Sequence, residues 1–190
     1  GGHFGGSSDG IGVGIPDLPA GLAALLEMKT HNDASFKVLK KEGVRSAKFE
    51  HFVQMQVYMH KMCLSVALYL AVNKNDDEVY AELVMLDTAV AEQFVERAHK
   101  IIPLHIAPDK ISKSPGWKAC AWCDYRPVCH LKVAPERNCR TCQHSAPILN
   151  GEWHCTEPFI VKANDGVPLV LSKKLQLKGC GNYEVGQTFK

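Results

Sequence analysis

An acidic residue and a lysine, two positions apart, end a hydrophobic run in the stretch LLEMKTHND, residues 25–33. Residues two apart on a β-strand point to the same face, so the Glu27 carboxylate and the Lys29 ammonium should project together. Asp9, which we expect at the start of a neighbouring strand, adds a second carboxylate. Such carboxylates can bind a hard divalent cation, and a lysine beside them can orient or deprotonate an attacking water. These residues indicate phosphodiester hydrolysis; the alternative is a solvated ion pair that contributes little.

Cysteine spacing indicates metal binding in the last part of the chain. Of the eight cysteines, seven lie between residues 120 and 180, several in CxxC pairs. Because we expect no signal peptide, this pattern favours metal over disulfides. The later group predicts a tetrahedral zinc site with four thiolate ligands, namely Cys139, Cys142, Cys155 and Cys180. His144 and His154 stay open as substitutes for Cys155, and Cys63 is expected to pack in the core.

The earlier group of cysteines has the spacing Cys120-x2-Cys123-x5-Cys129. Thiolates suit both zinc and iron–sulfur clusters, so the residue types alone do not choose between the two metals. His130 follows directly and offers a local alternative, which is a closed structural zinc site with three thiolates and one imidazole.

A sheet must position these side chains. Alternation, helical spacing and turn residues predict the order β-β-β-α-α-β-β-α, an α/β fold with a central mixed sheet flanked by helices. The glycine-rich start predicts a hairpin with Asp9 at the beginning of its second strand. We expect Asp33 to cap the first helix, Gly43 to end it, and Asp87 to cap the last helix. The second helix carries an apolar stripe, formed by Phe52, Met55, Met59 and Met62, and a surface histidine, His51.

Length and composition are those of a globular chain, with 190 residues, 46% of them hydrophobic and 22% charged. No apolar run approaches the roughly 20 residues needed to span a bilayer, so we expect a cytoplasmic protein with no membrane partner. Changes in composition predict a core over residues 1–116, a cysteine-rich metal-binding segment over 117–135 and a zinc-ribbon-like module over 136–190. The chain opens without methionine, and we expect that an N-terminal segment is missing.

Three stretches together, GGHFGGSSDGIG, LLEMKT and HFVQMQVYM, resemble the PD-(D/E)XK nuclease superfamily, in its RecB-like and phage exonuclease branch. The resemblance implies a restriction-endonuclease-like core with a cysteine-rich C-terminal extension. It implies that Asp9, Glu27 and the Met28 carbonyl ligate Mg²⁺ or Mn²⁺, and that Lys29 activates water. It also makes Gln54 and Tyr58 an accessory motif that lines the active site. Ser8 stands where the family pattern has proline.

The same resemblance implies a metal-dependent deoxyribonuclease, an exonuclease of phage or bacterial recombination and repair. Its partners would be DNA, a recombination protein and further copies of the chain. Cys120, Cys123 and Cys129 are similar to the three C-terminal cysteines of iron–sulfur nucleases in this branch, which implies a 4Fe–4S cluster; a second zinc ion stays open. His3 is either a metal-facing or a structural histidine.

The alternative function is a zinc-ribbon module that binds DNA or protein without cutting, attached to a degenerate nuclease core. A basic edge and aromatic side chains in the C-terminal part suit it, because bases stack on such rings. The residues concerned are Lys173, Lys174, Lys178, Trp117, Trp122 and Trp153. The opposite interpretation, a solvated face and a small core, stays open.

Overall fold

The computed structural model describes residues 3–189 and divides into two compact units. The first unit is Gly6–Ala98, and the second contains the residues from His99 onward together with the start of the chain. Among the described residues, no helix is both long and apolar enough to cross a bilayer.

The first unit contains a four-stranded sheet in the order β1-β2-β3-β4. Its strands are β1 (Gly10–Gly12), β2 (Ala24–His31), β3 (Val66–Asn73) and β4 (Val79–Met85). Strands β2 and β3 are parallel, and the other two pairs are antiparallel. The prediction of an α/β fold with a mixed sheet and helices is therefore confirmed.

The expected N-terminal hairpin is absent from the described residues. The three residues of β1 pair directly with β2, and the first-unit sheet has no strand before β1. Glycine-rich segments pay a high entropic cost when they become extended, which accounts for the shorter strand. The strand that follows Asp9 was expected to pair with an earlier strand of a hairpin, but it pairs with β2.

Three helices accompany the sheet: α1 (Asp33–Ala47), α2 (Phe49–Met62) and α3 (Thr88–Ile101). The cap of α1 is Asn32 instead of Asp33, because the Asn32 side chain accepts a hydrogen bond from the Ser35 amide at 2.9 Å. The continuous helix that begins α1 ends at Gly43, as predicted, because this residue has a φ of 73° and a ψ of 167°; a second helical segment follows the kink within the same range. Asp87 caps α3 as predicted, with its carboxylate 3.2 Å from the Val90 amide.

The core of the first unit lies between the sheet and the helices α1 and α2. Phe52, Met55 and Met59 are buried on α2, as their helical spacing predicts. Met62 is 42% exposed and lies outside this stripe. Cys63 is also exposed, because it is the left-handed residue that ends α2, with a φ of 56°. The expectation that Cys63 packs in the core is wrong.

The second unit contains a small antiparallel sheet in the order β5-β6-β7. Its strands are β5 (Ser145–Pro147), β6 (Trp153–Cys155) and β7 (Leu169–Leu171). The unit also contains four short helices: α4 (Lys118–Ala121), α5 (Arg126–Leu131), α6 (Pro158–Ala163) and α7 (Lys173–Gln176). Three-residue strands and one-turn helices of this kind cannot build a large apolar core.

Candidate active site

The strand β2 carries its charged residues on the inner face. Glu27 is fully buried, Lys29 is partly buried and His31 is only 6% exposed, in alternation with the exposed Met28 and Thr30. The Lys29 ammonium forms an ion pair with Oε1 of Glu27. Neither carboxylate oxygen of Glu27 makes a hydrogen bond to any described residue. A buried carboxylate with so few partners is costly, since ionised groups lose their hydration on burial.

Asp9 is held next to Glu27 by strand pairing and by one hydrogen bond. Gly10 pairs with Leu26 across the antiparallel β1–β2 ladder, so Asp9 lies beside the end of β2 that carries Glu27. Its Oδ2 accepts a hydrogen bond from the Met28 amide at 2.7 Å. Asp9, which directly precedes β1, therefore lies next to the segment of β2 that contains Glu27 and Met28.

This chemistry fits a hard divalent cation, because oxygen ligands from carboxylates and main-chain carbonyls are what Mg²⁺ and Mn²⁺ prefer. The orphaned oxygens of Glu27 are the observation that supports the fit. Within residues 3–189, no three Asp, Glu, His or Cys side chains are already arranged as ligands of one ion. The Glu27 and Asp9 carboxylates would supply two ligands, and such sites are commonly completed by water and phosphate oxygens.

One face of α2 covers this part of the sheet. His51, Gln54 and Tyr58 follow each other at spacings of three and four, which places them on one side of the helix. His51 contacts Tyr69, which is the residue of β3 directly opposite Glu27. At the other end, the Tyr58 hydroxyl lies 2.2 Å from the position that a Cβ on Gly6 would take, so a side chain at residue 6 would require the Tyr58 ring to shift. Gln54 lies between these two contacts.

A buried network behind Glu27 was not predicted. The Tyr69 hydroxyl lies 3.0 Å from Nε2 of His31 and 2.9 Å from Nδ1 of His51. A tyrosine has one hydroxyl proton, so one histidine accepts it and the other must donate its own N–H. The expectation that His51 is a surface histidine is wrong. His31, at the third inward position of β2 after Glu27 and Lys29, was the signal that could have revealed the network.

Burial keeps these groups neutral. Desolvation, and next the positive charge of Lys29, lowers the pKa of His51 to about 4. Burial, followed by the charge of Lys48, also lowers the pKa of His31. Burial and the nearby Glu27 charge raise the pKa of the Tyr69 hydroxyl. At neutral pH the side chains of His31, His51 and Tyr69 are therefore uncharged. The charges at this part of the sheet come from the Glu27–Lys29 ion pair.

His3 serves the second unit. Its Nε2 donates a hydrogen bond to the Ile148 carbonyl at 2.7 Å, and its ring stands edge-on to Trp153 at 5.8 Å. Of the two interpretations of His3, the structural one is therefore correct. Trp117 and Trp122 are 49% and 87% exposed, and all three predicted basic residues, Lys173, Lys174 and Lys178, are exposed as well.

The first cysteine module lies in two consecutive turns of the second unit. Cys120 is buried at the end of α4, whereas Cys123 and Cys129 are exposed. The Cys123 amide donates to the Cys120 carbonyl at 3.2 Å, and the Cys129 amide donates to the Tyr125 carbonyl at 2.8 Å. Whether this module holds zinc or an iron–sulfur cluster stays a prediction.

The second cysteine module lies around the small sheet. Burial raises the pKa of the Cys139 thiol, and the thiols of Cys180, Cys142 and Cys155 raise it further. Burial also raises the pKa of Cys155, with contributions from Cys142 and Cys180. Because such effects act only at short range, the four predicted ligands share one neighbourhood.

No protein-family model, curated protein or solved structure was found to match this chain.

Proposed function

We propose that the first unit is the catalytic core of a metal-dependent deoxyribonuclease that hydrolyses phosphodiester bonds. The observation that carries the proposal is the buried Glu27 carboxylate, which is paired with Lys29 but has no other hydrogen-bond partner among the described residues. Asp9, just before the neighbouring strand β1, lies beside it. Structural carboxylates in a core are normally satisfied by hydrogen bonds, whereas carboxylates awaiting a cation or substrate are not.

Asp9, Glu27 and the Met28 carbonyl are the groups that would hold Mg²⁺ or Mn²⁺. When bound, such an ion polarises a phosphate oxygen and lowers the barrier to attack by water. Lys29 then orients the attacking water and offsets the negative charge that grows on the phosphate. Its ion pair with Glu27 holds the ammonium at the site.

The face of α2 has a positioning role in this proposal. Gln54 can donate amide hydrogens to a phosphate or to the attacking water, and Tyr58 offers a hydroxyl near the start of β1. Behind them, the hydrogen bonds of His51 and His31 fix the Tyr69 ring opposite Glu27. A rigid support of this kind favours catalysis, because small displacements of reacting groups are costly.

The test is cleavage of linear and circular DNA with Mg²⁺ or Mn²⁺. We expect Asp9→Ala, Glu27→Gln and Lys29→Ala to lower the cleavage rate by about 100-fold or more. Glu92→Gln and Lys41→Ala remove the same charges from exposed positions on α3 and α1 and should cleave like the wild type. Degradation of linear DNA alone would establish an exonuclease.

Folding of the variants must be checked by their melting temperature. Glu27→Gln keeps the shape of the side chain but leaves the Lys29 ammonium without its ion-pair partner, so we expect a lower melting temperature, and the assay is run well below it. Full activity of that folded variant contradicts the proposal. Absence of any cleavage by the wild type, with DNA binding retained, would favour the non-catalytic binding module instead.

A further inference from the structure

The second unit has too little apolar core to account for its order. Among its described residues, the buried hydrophobic side chains are Cys120, Cys155 and Leu171. Its strands are three residues long, and its 3₁₀ segments and helices are short. Units with so few buried apolar groups are usually stabilised by disulfides or by a metal ion. All eight cysteines are free thiols, so disulfides do not provide the stabilisation.

Backbone contacts bring four of those thiols together. Cys139 and Cys142 are the two ends of a 3₁₀ turn, closed by a hydrogen bond from the Cys142 amide to the Cys139 carbonyl at 3.2 Å. The Asn138 side chain caps this turn by accepting from the Arg140 amide at 2.9 Å. A capped turn that presents two thiols three residues apart is the usual first half of a structural zinc site.

The third thiol is connected to this turn through the small sheet. Cys155 ends β6 and pairs with Ser145 on β5. The Ser145 amide donates to the Cys142 carbonyl at 3.3 Å, so Cys142 is one short step from the partner of Cys155. Cys155 is only 7% exposed, so its thiol lies in the interior of the second unit.

The fourth thiol arrives from the C-terminal segment. The Cys139 sulfur lies 3.2 Å from the carbonyl of Lys178, two residues before Cys180. Beyond Cys180 the chain returns to the turn, because Val185 forms a β-bridge with Cys142 and the Gly186 amide donates to the Thr141 carbonyl at 2.8 Å. Contacts of these cysteines and of their near neighbours therefore bring the four thiol-bearing segments into one part of the unit.

Neighbouring histidines are poor substitutes for Cys155. Nε2 of His144 lies 3.4 Å from a carboxylate oxygen of Glu184, which engages one of its two ring nitrogens. His154 precedes Cys155 on β6, so its side chain points to the opposite face of the sheet. The four cysteines are therefore the set of ligands that the contacts favour.

We infer that Cys139, Cys142, Cys155 and Cys180 bind one Zn²⁺ ion, which is a structural site of the second unit. Within residues 3–189 the four sulfurs are not already arranged around an ion, so on binding each thiol loses its proton to solvent and the four thiolates move inward to Zn–S distances of about 2.3 Å. Four protein ligands leave no open position, so this site holds the fold and performs no hydrolysis. The inference is independent of the proposed nuclease activity.

The test is the zinc content of the full chain, purified without added metal and measured by mass spectrometry. Serine variants of each of the four cysteines should lose about one zinc per chain relative to the wild type. His154→Ala and Cys63→Ser are matched controls that should keep it, and Cys120→Ser measures the other module separately. Unchanged zinc content in any of the four variants would overturn the assignment.

A second measurement uses only the wild type, so its result does not depend on whether the cysteine variants fold. Alkylation of thiols, mapped by mass spectrometry with and without a zinc chelator, should show protection at the four cysteines that the chelator removes. Equal labelling of these four positions in both conditions would also refute the site. Glu27→Gln should retain the zinc, so loss of nuclease activity and loss of the zinc site are separable results.

Discussion

At the scale of single residues, the unusual group is Glu27. Its side chain is fully buried, it pairs with Lys29, and its oxygens lack hydrogen bonds among the described residues. A buried ion pair of this kind seldom stabilises a fold more than apolar residues of the same shape would. Its presence is therefore the reason for which we propose a functional role at this position.

The histidine beside the site leads to a prediction about acid sensitivity. Burial and the Lys29 charge lower the pKa of His51 to about 4 in the folded protein, while the unfolded chain titrates near 6.5. The unfolded state then binds more protons between these values. We expect the free energy of unfolding to fall as the pH drops from about 6.5 towards 4, by an amount on the order of 1 kcal/mol after screening by solvent.

Urea unfolding at a series of pH values measures this effect. His51→Gln should flatten the profile in that range, with a remainder from His31, whose pKa is also lowered. His99→Gln changes an exposed histidine of α3 and should leave the profile as in the wild type. A His51→Gln profile identical to that of the wild type would show that this histidine is not the group responsible.

At the scale of elements, Gly43 determines how α1 reaches the sheet. Its φ of 73° and ψ of 167° belong to a region that is open only to glycine, and the next amide, of Val44, donates to Glu82 at 2.8 Å. We expect Gly43→Ala to lower the free energy of unfolding by about 2 kcal/mol, measured by urea denaturation.

A matched glycine provides the control for that substitution. Gly116 has no positive φ, and a Cβ there would meet only Ser114 Oγ, at 3.8 Å. Gly116→Ala should therefore change the unfolding free energy by less than about 0.5 kcal/mol. Equal effects of the two substitutions would mean that the backbone at Gly43 is not strained by a side chain.

The sequence predicted most elements of the first unit because their periodicity is local, and it predicted none of the short elements of the second unit. β2, β3, β4 and the helices were expected from alternation and helical spacing, and the inward placement of Glu27 and Lys29 followed from the same rule. Local patterns do not specify which strand or helix each element pairs with or packs against. Hence β1 was assigned to a hairpin instead of to β2, and the contact between His51 and Tyr69 was missed.

The buried glutamine of α2 illustrates the same limit of local patterns. Gln56 is fully buried, donates to the Met85 carbonyl at 3.2 Å and accepts from the Asp87 amide at 2.6 Å. Its spacing from Phe52 and Met59 places it on the apolar face, where a polar residue is not expected. Only the position of the β4–α3 connection supplies its partners.

At the scale of the whole molecule, the two units are stabilised differently. The first has a continuous cluster of buried apolar residues from its helices and its sheet, and the second has very few. We expect a chelator that removes zinc to abolish hydrogen-exchange protection in β5, β6 and β7 while β2 and β3 keep theirs. Equal loss of protection in both sheets would contradict this difference.

The shortness of β1 has a consequence for how the sequence can vary. Asp9 depends on a ladder of only three residue pairs, from Gly10 with Leu26 to Gly12 with Ala24. The connection between these strands, residues 13–23, can gain or lose residues at small entropic cost, since closure entropy changes slowly with length. A one-residue insertion between Ala24 and Glu27 would instead reverse the orientation of the acid. Homologous chains should therefore differ in length after residue 12 and be invariant in length within β2.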